Sequence, residues 1–534
     1  MKIDGIPFKQ TGYFSKIMCD YLEEVDSLKP FYNRFPAFEN FEAQIIEKQK
    51  NFPSSHREIL SQALTNQYAQ IETSAGTKAN IASLKEENTF TIVTGHQLNL
   101  FTGPLYFLYK IIATINLTKA LQKKHSQYNF VPVYWMATED HDFDEINYFT
   151  LNGKKIQWNK DASGGVGRLD TKGLELLSET LAAELGGGKN AEYLKTLFAD
   201  AYLNHANLTE ATRFLANELF KDYGLVIVDG DDAALKRLLK PYVQSDLVEE
   251  KSFKAVSTTI EALNALPENY GIQVNPREIN YFYLIDGVRE RIIEKEGVYF
   301  VNDTNIAFTK DEVLKELENH PERFSPNVVC RPLYQEVILP NLCYIGGGGE
   351  LAYWLELKAY FDTVGVTFPM LLLRNSALLV TEKQSEKIAK LDLNISDLFL
   401  KQNTFINKKI RAISNIDVDF SPQKELLKVQ FEALYDLATQ TDQSFLGAVK
   451  AQEVKQVKGL ENLEKRLLKA QKRKLKDHVI RITEIQNDLF PNKSLQERQQ
   501  NFSQFYLEYG DQLIPALVEN LKPLSQEFTI LEFN

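Results

Sequence analysis

The segment Thr91 to Asp144 constrains the fold more than any other part of the chain. Thr91, Ile92, Val93 and Thr94 form a β-branched run that stops at Gly95; a polar loop follows, and Gly103-Pro104 then opens an apolar stretch too long for a strand. Pro104 suits the first turn of a helix, where its missing amide hydrogen leaves nothing unpaired, and Leu105, Leu108, Ile112 and Ile115 recur at helical spacing. Phe130, Val131, Val133, Tyr134 and Trp135 read as a strand buried on both faces, ending in the polar cluster Thr138-Glu139-Asp140-His141-Asp142. Strand, helix, strand is one βαβ unit, and it predicts an α/β fold with a parallel sheet.

In such a unit the carboxyl ends of the strands lie side by side, and open α/β sheets bind ligands in the crevice beyond those ends. Both polar clusters therefore face one site. The first, Thr94-Gly95-His96-Gln97-Leu98-Asn99 with Gly103 beyond it, offers donors and loop amides leading into a helix N-terminus, which favours an anion such as phosphate. The second offers carboxylates and an imidazole. Together they suit a nucleotide, a divalent metal and an amine or hydroxyl nucleophile.

A chain of 534 residues is too long for one core and predicts about three domains or lobes. Its net charge of -11 argues against a general nucleic-acid binder. The three cysteines, Cys19, Cys330 and Cys343, form neither a CxxC pair nor a disulfide framework, which points to a reducing compartment. No secretory leader and no long uncharged apolar stretch is legible, so a soluble, cytoplasmic protein without membrane partners is expected.

Residues 1–88 read as a mostly helical arm packed on the core, with Phe38, Phe41, Ile45 and Ile46 on one face. The core is expected over 89–380, with insertions at about 150–220 and 250–325. Ile146 to Trp158 alternates around Asn152-Gly153, a hairpin signal. Gly164-Gly165-Val166-Gly167 lacks the Lys-Ser/Thr ending of a phosphate loop and reads as a mobile connection. Gly224 to Asp229 suits a third parallel strand, with a helix over Ala233 to Leu247. In the second insertion Ile272–Val274, Tyr281–Ile285 and Val298–Val301 look strand-like. Val328 to Ile345 reads as a strand running into Gly346-Gly347-Gly348-Gly349-Glu350, a second loop where backbone can lie against a ligand, followed by a helix carrying Trp354. Pro369 to Arg374 reads as the last sheet strand.

From 381 to 490 the apolar positions narrow to a seam that includes Leu460, Leu463, Leu467 and Ala470. That pattern predicts an antiparallel coiled coil whose arms are separated at Phe420-Ser421-Pro422. Its stretch Lys450 to Asp477 holds ten basic and four acidic residues. Residues 491–534 are expected to return to the core through Phe502, Phe505, Tyr506 and Tyr509.

The stretches VTGHQLNLFTGPLYFLYKI (93–111), YWMATEDHDFDEIN (134–147), VVCRPLYQEVILPNL (328–342), GELAYWLELK (349–358) and LFPNKSLQER (489–498) resemble the cysteine-adding family of bacillithiol biosynthesis, BshC, over nearly the whole chain. The resemblance implies a Rossmann-like core related to class I aminoacyl-tRNA synthetases, two connecting insertions and a coiled coil used in homodimerisation. It implies a ligase that adds L-cysteine to glucosaminyl-malate, with ATP as co-substrate and magnesium as a possible companion. If the chemistry follows the related ligases, the cysteine carboxylate attacks the α-phosphate and the glucosamine amine then attacks the adenylate. His96 would contact phosphate where those ligases carry their HIGH motif, and Asp140 or His141 would orient or deprotonate the amine. Thr94, Gly95, Gln97, Asn99, Gly103, Gly346, Gly347, Gly348 and Glu350 are the further nucleotide candidates, and Glu139, Asp140, Arg331 and Trp354 the substrate candidates, with Arg168 a second guess for the malate carboxylates.

Two departures stand out. The stretch LLLRNSALLV (371–380) offers only Arg374, Asn375 and Ser376 in place of a lysine-rich signature loop, and no zinc site with closely placed thiolate and imidazole ligands is recognisable. Cys330 and Cys343 read as core residues. The residues also leave open nucleotidyl transfer to a sugar, and a nucleotide-regulated RNA-binding or scaffold protein using the basic coiled coil.

Overall fold

The computed structural model describes residues 2–533. Its centre is a five-stranded parallel sheet of β1 (Thr89–His96), β2 (Asn129–Met136), β3 (Val226–Asp229), β4 (Asn341–Gly346) and β5 (Met370–Leu373), in the order β5-β4-β1-β2-β3. Every residue of β1 is buried, as a strand covered on both faces requires. The register sets Gly95 beside Trp135, His96 beside Met136 and Met136 beside Asp229, so the carboxyl ends form one edge. From β1 the chain crosses to β2 and β3 on one side, while β4 and β5 lie on the other. The crevice between β1 and β4 is therefore the topological switch point.

Helix α1 (Tyr106–Lys124) makes the first crossover, and its burial extends well beyond the expected stripe. Phe107 to Thr118 are all buried, so α1 is wrapped on every side and its single interior cation, Lys110, lies inside protein. The loop before it is held in an uncommon conformation. Phe101 and Thr102 have φ of 46° and 69°, and the Phe101 amide donates to Tyr202 Oη. Asn501 Nδ2 donates to the carbonyls of Phe101 and Gly103, tying the late chain to this loop.

The arm before β1 opens on a short strand, Lys2–Pro7, before its helices. Phe41 and Ile45 join Ile92, Leu117 and Leu342 in an apolar core cluster, but Ile46 is 57% exposed and belongs to the outer face. Cys343 lies in that cluster, and Cys330 is buried. The hairpin at Tyr148–Leu151 and Lys154–Gln157 turns on Asn152 and Gly153, both with positive φ. Gly164 to Gly167 is not a loose connection. Val166 and Gly167 donate backbone hydrogen bonds to Asp140 and Thr138, and a Cβ on Gly167 would lie 2.7 Å from that of Thr138.

Helix α2 (Ala233–Glu249) follows β3, capped by Asp232. The second insertion carries an antiparallel five-stranded sheet containing Tyr281–Ile285, Val288–Lys295 and Val298–Val301; residues 272–274 are not a strand, the amides of Gln273 and Val274 donating to the Glu356 carboxylate. The expected long strand from Val328 is instead helix α3 (Arg331–Ile338) and then β4, with Pro332 starting the helix. Helix α4 (Gly348–Leu355) takes up the third and fourth glycines.

A second compact unit is formed chiefly by Leu379–Leu495. Helices α5 (Ser421–Ala438) and α6 (Gln443–Lys474) pack together around Phe431, Ala438 and Val449. Pro422 starts α5 rather than separating the arms, and the chain reverses at residues 439–442, where Asp442 caps α6. Lys424 near the start of α5 bonds Glu464, so the paired region ends there and Leu463 is 53% exposed. Among the described residues no helix is long and apolar enough to cross a membrane.

Candidate active site

Two joined cavities open beyond the strand ends. The larger, about 300 Å³, lies between β1 and β4 and is lined by Gly95, His96, Gln97, Lys110, Tyr344 and Glu350, among others. The smaller, about 170 Å³, lies beyond β2 and is lined by Thr138, Glu139, Asp140, Arg289 and Asn327, among others. Trp135, Ala137, Arg331 and Tyr353 line both, so the two are lobes of one site.

In the first lobe Lys110 Nζ donates to the Gly95 carbonyl at 2.7 Å and pairs with Glu350 Oε1 at 2.5 Å. The other Glu350 oxygen accepts from Tyr344 Oη at 2.7 Å. Burial pushes the Glu350 carboxyl up, but Lys110, Tyr344 and the Gly347 amide outweigh it and hold it below its ordinary range. Burial also lowers the Lys110 ammonium, with Glu350 opposing. The His96 imidazolium is disfavoured, first by burial and then by Lys110, and among the described residues its Nε2 has no hydrogen-bond partner. A buried imidazole nitrogen at the cavity wall is an open donor or acceptor, according to tautomer.

Arg331 is the hinge between the lobes. Its guanidinium lies 5.6 Å from the Tyr344 ring centroid, 5.7 Å from Trp135 and 6.0 Å from Trp354. Nη1 donates to Gln335 Oε1 at 3.1 Å, whereas Nη2 is buried with no hydrogen-bond partner among the described residues. A planar cation near aromatic rings with an unused buried donor can donate to an oxyanion. In the second lobe, Glu139 pairs with the fully buried Lys236, which also donates to the Phe324 carbonyl. Burial raises the Glu139 carboxyl, with Lys236 opposing.

The other residues singled out from sequence fall in different places. Asp140 lines the second lobe, but one oxygen accepts from Gln97 Nε2 at 2.9 Å and the other from the His141 amide at 2.8 Å. His141 is turned toward the insertion: its Nδ1 meets Arg289 Nη1 at 2.5 Å and its ring packs on Phe282. Thr94 donates to the Ile345 carbonyl inside the sheet. Asn99 donates to the Glu145 carbonyl, and Gly103, with φ of 63°, is needed because a Cβ there would lie 2.6 Å from that of Asn99. Gly346, Gly347 and Gly348 shape the β4–α4 turn without lining either lobe. Trp354 is fully buried and stacked on Tyr344, so it is Tyr353 that faces the site. Arg168 is taken by Asp231 and Asp286.

Sequence reasoning missed Lys110, Tyr106, Tyr344, Tyr353 and Arg289. Lys110 was the most findable of these, as a lone cation inside LYFLYKIIATI. Arg374, from the departed signature stretch, is buried against Glu497 at 2.7 Å and lies over the Tyr106 ring. Among the described residues no group of three or more His, Cys, Asp or Glu side chains is placed to hold a metal ion.

A parallel sheet whose strand ends enclose buried cations, an imidazole with one open nitrogen and carboxylates defines a Rossmann-like enzyme. The model of the N-terminal Rossmann-like domain of bacillithiol biosynthesis BshC matches residues 1–375, and that of its C-terminal coiled-coil domain residues 377–533. The chain belongs to the BshC family. Among its relatives named "Putative cysteine ligase BshC", that of Christiangramia forsetii is 61% identical over 100% of this chain and 99% of its own. That of Flavobacterium johnsoniae is 61% identical over 99% and 100%, and that of Staphylococcus carnosus 28% over 94% and 96%. A solved structure named "putative arginyl t-RNA synthetase" from Campylobacter jejuni covers 89% of this chain and 99% of its own at 11% identity, and its TM-score of 0.23 carries no argument.

Proposed function

We propose that the chain joins L-cysteine to glucosaminyl-malate in the last step of bacillithiol biosynthesis, with ATP activating the cysteine carboxylate. The observation that carries this reading is the two-lobed cavity at the switch point, in a chain similar end to end to relatives bearing the cysteine-ligase name. The same proposal takes the Rossmann-like core as kin to class I aminoacyl-tRNA synthetases. The first lobe suits the triphosphate: Lys110 and Arg331 supply charge, and the open His96 Nε2 and Arg331 Nη2 are polar atoms awaiting a partner. Magnesium would be carried mainly by the nucleotide's own phosphates, the usual arrangement for this ion.

The first step forms a bond between a cysteine carboxylate oxygen and the α-phosphorus and releases pyrophosphate. The second forms the amide bond and releases AMP. Negative charge develops on phosphate oxygens in the first and on the carbonyl oxygen in the second, so a fixed guanidinium between the lobes serves both. The second lobe, with Glu139, Asp140, Arg289 and Arg331, presents both signs of charge, as an amine carrying carboxylates requires. Homodimerisation through the coiled coil belongs to the same proposal, supported by the exposed apolar residues Leu426, Val429, Leu437 and Val454.

Mass spectrometry of the purified chain with ATP, magnesium, cysteine and glucosaminyl-malate tests the reading. The expected result is one amide product per AMP, strongly reduced in a His96→Ala, Asp140→Asn double variant. A nucleotidylated sugar without amide formation would establish nucleotidyl transfer instead.

A further inference from the structure

Resting on that ligase reading, we infer that Glu139 is the general base for amide formation, that its free oxygen takes the proton from the acceptor amine, and that Lys236 is its positioning residue. Glu139, Asp140 and His141 stand at the end of β2, and their bonding separates them. Both oxygens of Asp140 already accept hydrogen bonds, from Gln97 and from the His141 amide. The Nδ1 of His141 is engaged by Arg289, and the ring lines neither lobe. Glu139 lines the second lobe, its Oε1 is engaged by Lys236, and among the described residues its Oε2 has no hydrogen-bond partner. Its side chain is 11% exposed, and Lys236, on α2, not at all. The carboxylate is thus fixed from behind by a cation that substrate cannot reach.

The charged and titratable groups facing Glu139 come from every element around it: Lys236 from α2, Asp231 from the loop after β3, Arg289 from the insertion, and Tyr334 and Arg331 from α3. Burial makes this carboxylate more basic than an exposed one, and Lys236 opposes the rise. An amine attacks only with its lone pair free. In the proposed step an ammonium proton passes to Glu139 Oε2, the nitrogen lone pair bonds to the cysteinyl carbonyl carbon, and the carbon–oxygen bond to AMP breaks. The second nitrogen proton is then lost to water.

The experiment separates the two half-reactions in the full chain: cysteine-dependent pyrophosphate–ATP exchange, and amide formation with glucosaminyl-malate. Glu139→Gln, which keeps shape and can still bond Lys236, is expected to slow amide formation by about 10²-fold or more while exchange persists. Glu139→Asp should recover part of the loss. Lys236→Met removes the opposing charge, so the acidic limb of the amide-forming rate should move to higher pH, a shift that loss of packing alone would not cause. Amide formation by Glu139→Gln at the wild-type rate, or equal loss of both half-reactions in a folded variant, overturns the assignment. Absence of exchange in the wild type overturns the adenylating-ligase reading itself.

Discussion

The two lobes of the cavity use the same kinds of side chain to opposite effect. In the first, Glu350 is surrounded by Lys110, Tyr344 and a backbone amide, and its carboxyl is held below the ordinary 4.5. In the second, burial prevails over Lys236, and Glu139 is held above 4.5. The carboxylate of the first lobe therefore gives up its proton more readily than an exposed one and pairs with a buried cation, and that of the second lobe holds its proton more tightly. Two carboxylates acquire two roles from environment, and Arg331 stands where the environments meet.

Arg331→Ala should have the largest effect, because it removes a cation from both lobes at once. About 10³-fold in kcat/KM is expected, roughly 4 kcal/mol, with Arg331→Lys recovering part of it. An effect on only one substrate's KM would show that the lobes act separately. Lys110→Met should come next. It breaks a buried pair and lowers stability by about 3 kcal/mol at pH 7, measurable by denaturant unfolding. The pH dependence of unfolding gives the lobes opposite signatures. The stabilisation from Glu350 is present above pH 4.5 and lost as pH falls through its depressed folded value, and Lys110→Met should flatten this loss. Glu139 carries a cost that grows as pH rises from 4.5 through its raised folded value, and Glu139→Gln should relieve it.

Gly103→Ala should cost about 2 kcal/mol in stability through its left-handed backbone and the close Asn99 Cβ, with the KM for ATP unchanged. A selective rise in that KM would restore Gly103 to the nucleotide site. His141→Ala should have the smallest effect, within about ±0.5 kcal/mol on the amide-forming step, since its Nδ1 is already engaged outside the lobes.

The βαβ unit was legible because its signals are local: a β-branched run, a helix-starting proline and an apolar second strand fix three elements and their parallel sense. His96, Gln97 and Glu139 followed from it, since a strand end locates a residue at the sheet edge. Tyr344 and Glu350 meet Lys110 only when β4 pairs with β1 across some 250 residues of chain, as the Thr94–Ile345 bond shows, and no periodicity announces that pairing. Glycine runs misled for a related reason: Gly346 to Gly348 are small so that Tyr344, Glu350 and Met18 can pack closely, and their position in sequence resembles a ligand loop. Trp354 and Tyr353 are adjacent, and one residue of helical rotation decides which of them faces the site. The coil was read from its seam, but where α6 stops being paired with α5 is set by the length of α5, the shorter helix, which an apolar pattern does not encode.

The most direct test follows an oxygen atom. Cysteine labelled with ¹⁸O in both carboxylate oxygens is turned over with ATP and glucosaminyl-malate, and the phosphorus products are weighed by mass spectrometry. Activation at the α-phosphate predicts one ¹⁸O in AMP for each amide formed. Label in inorganic phosphate with ADP as the nucleotide product, or amide formed with unlabelled AMP, would contradict the account.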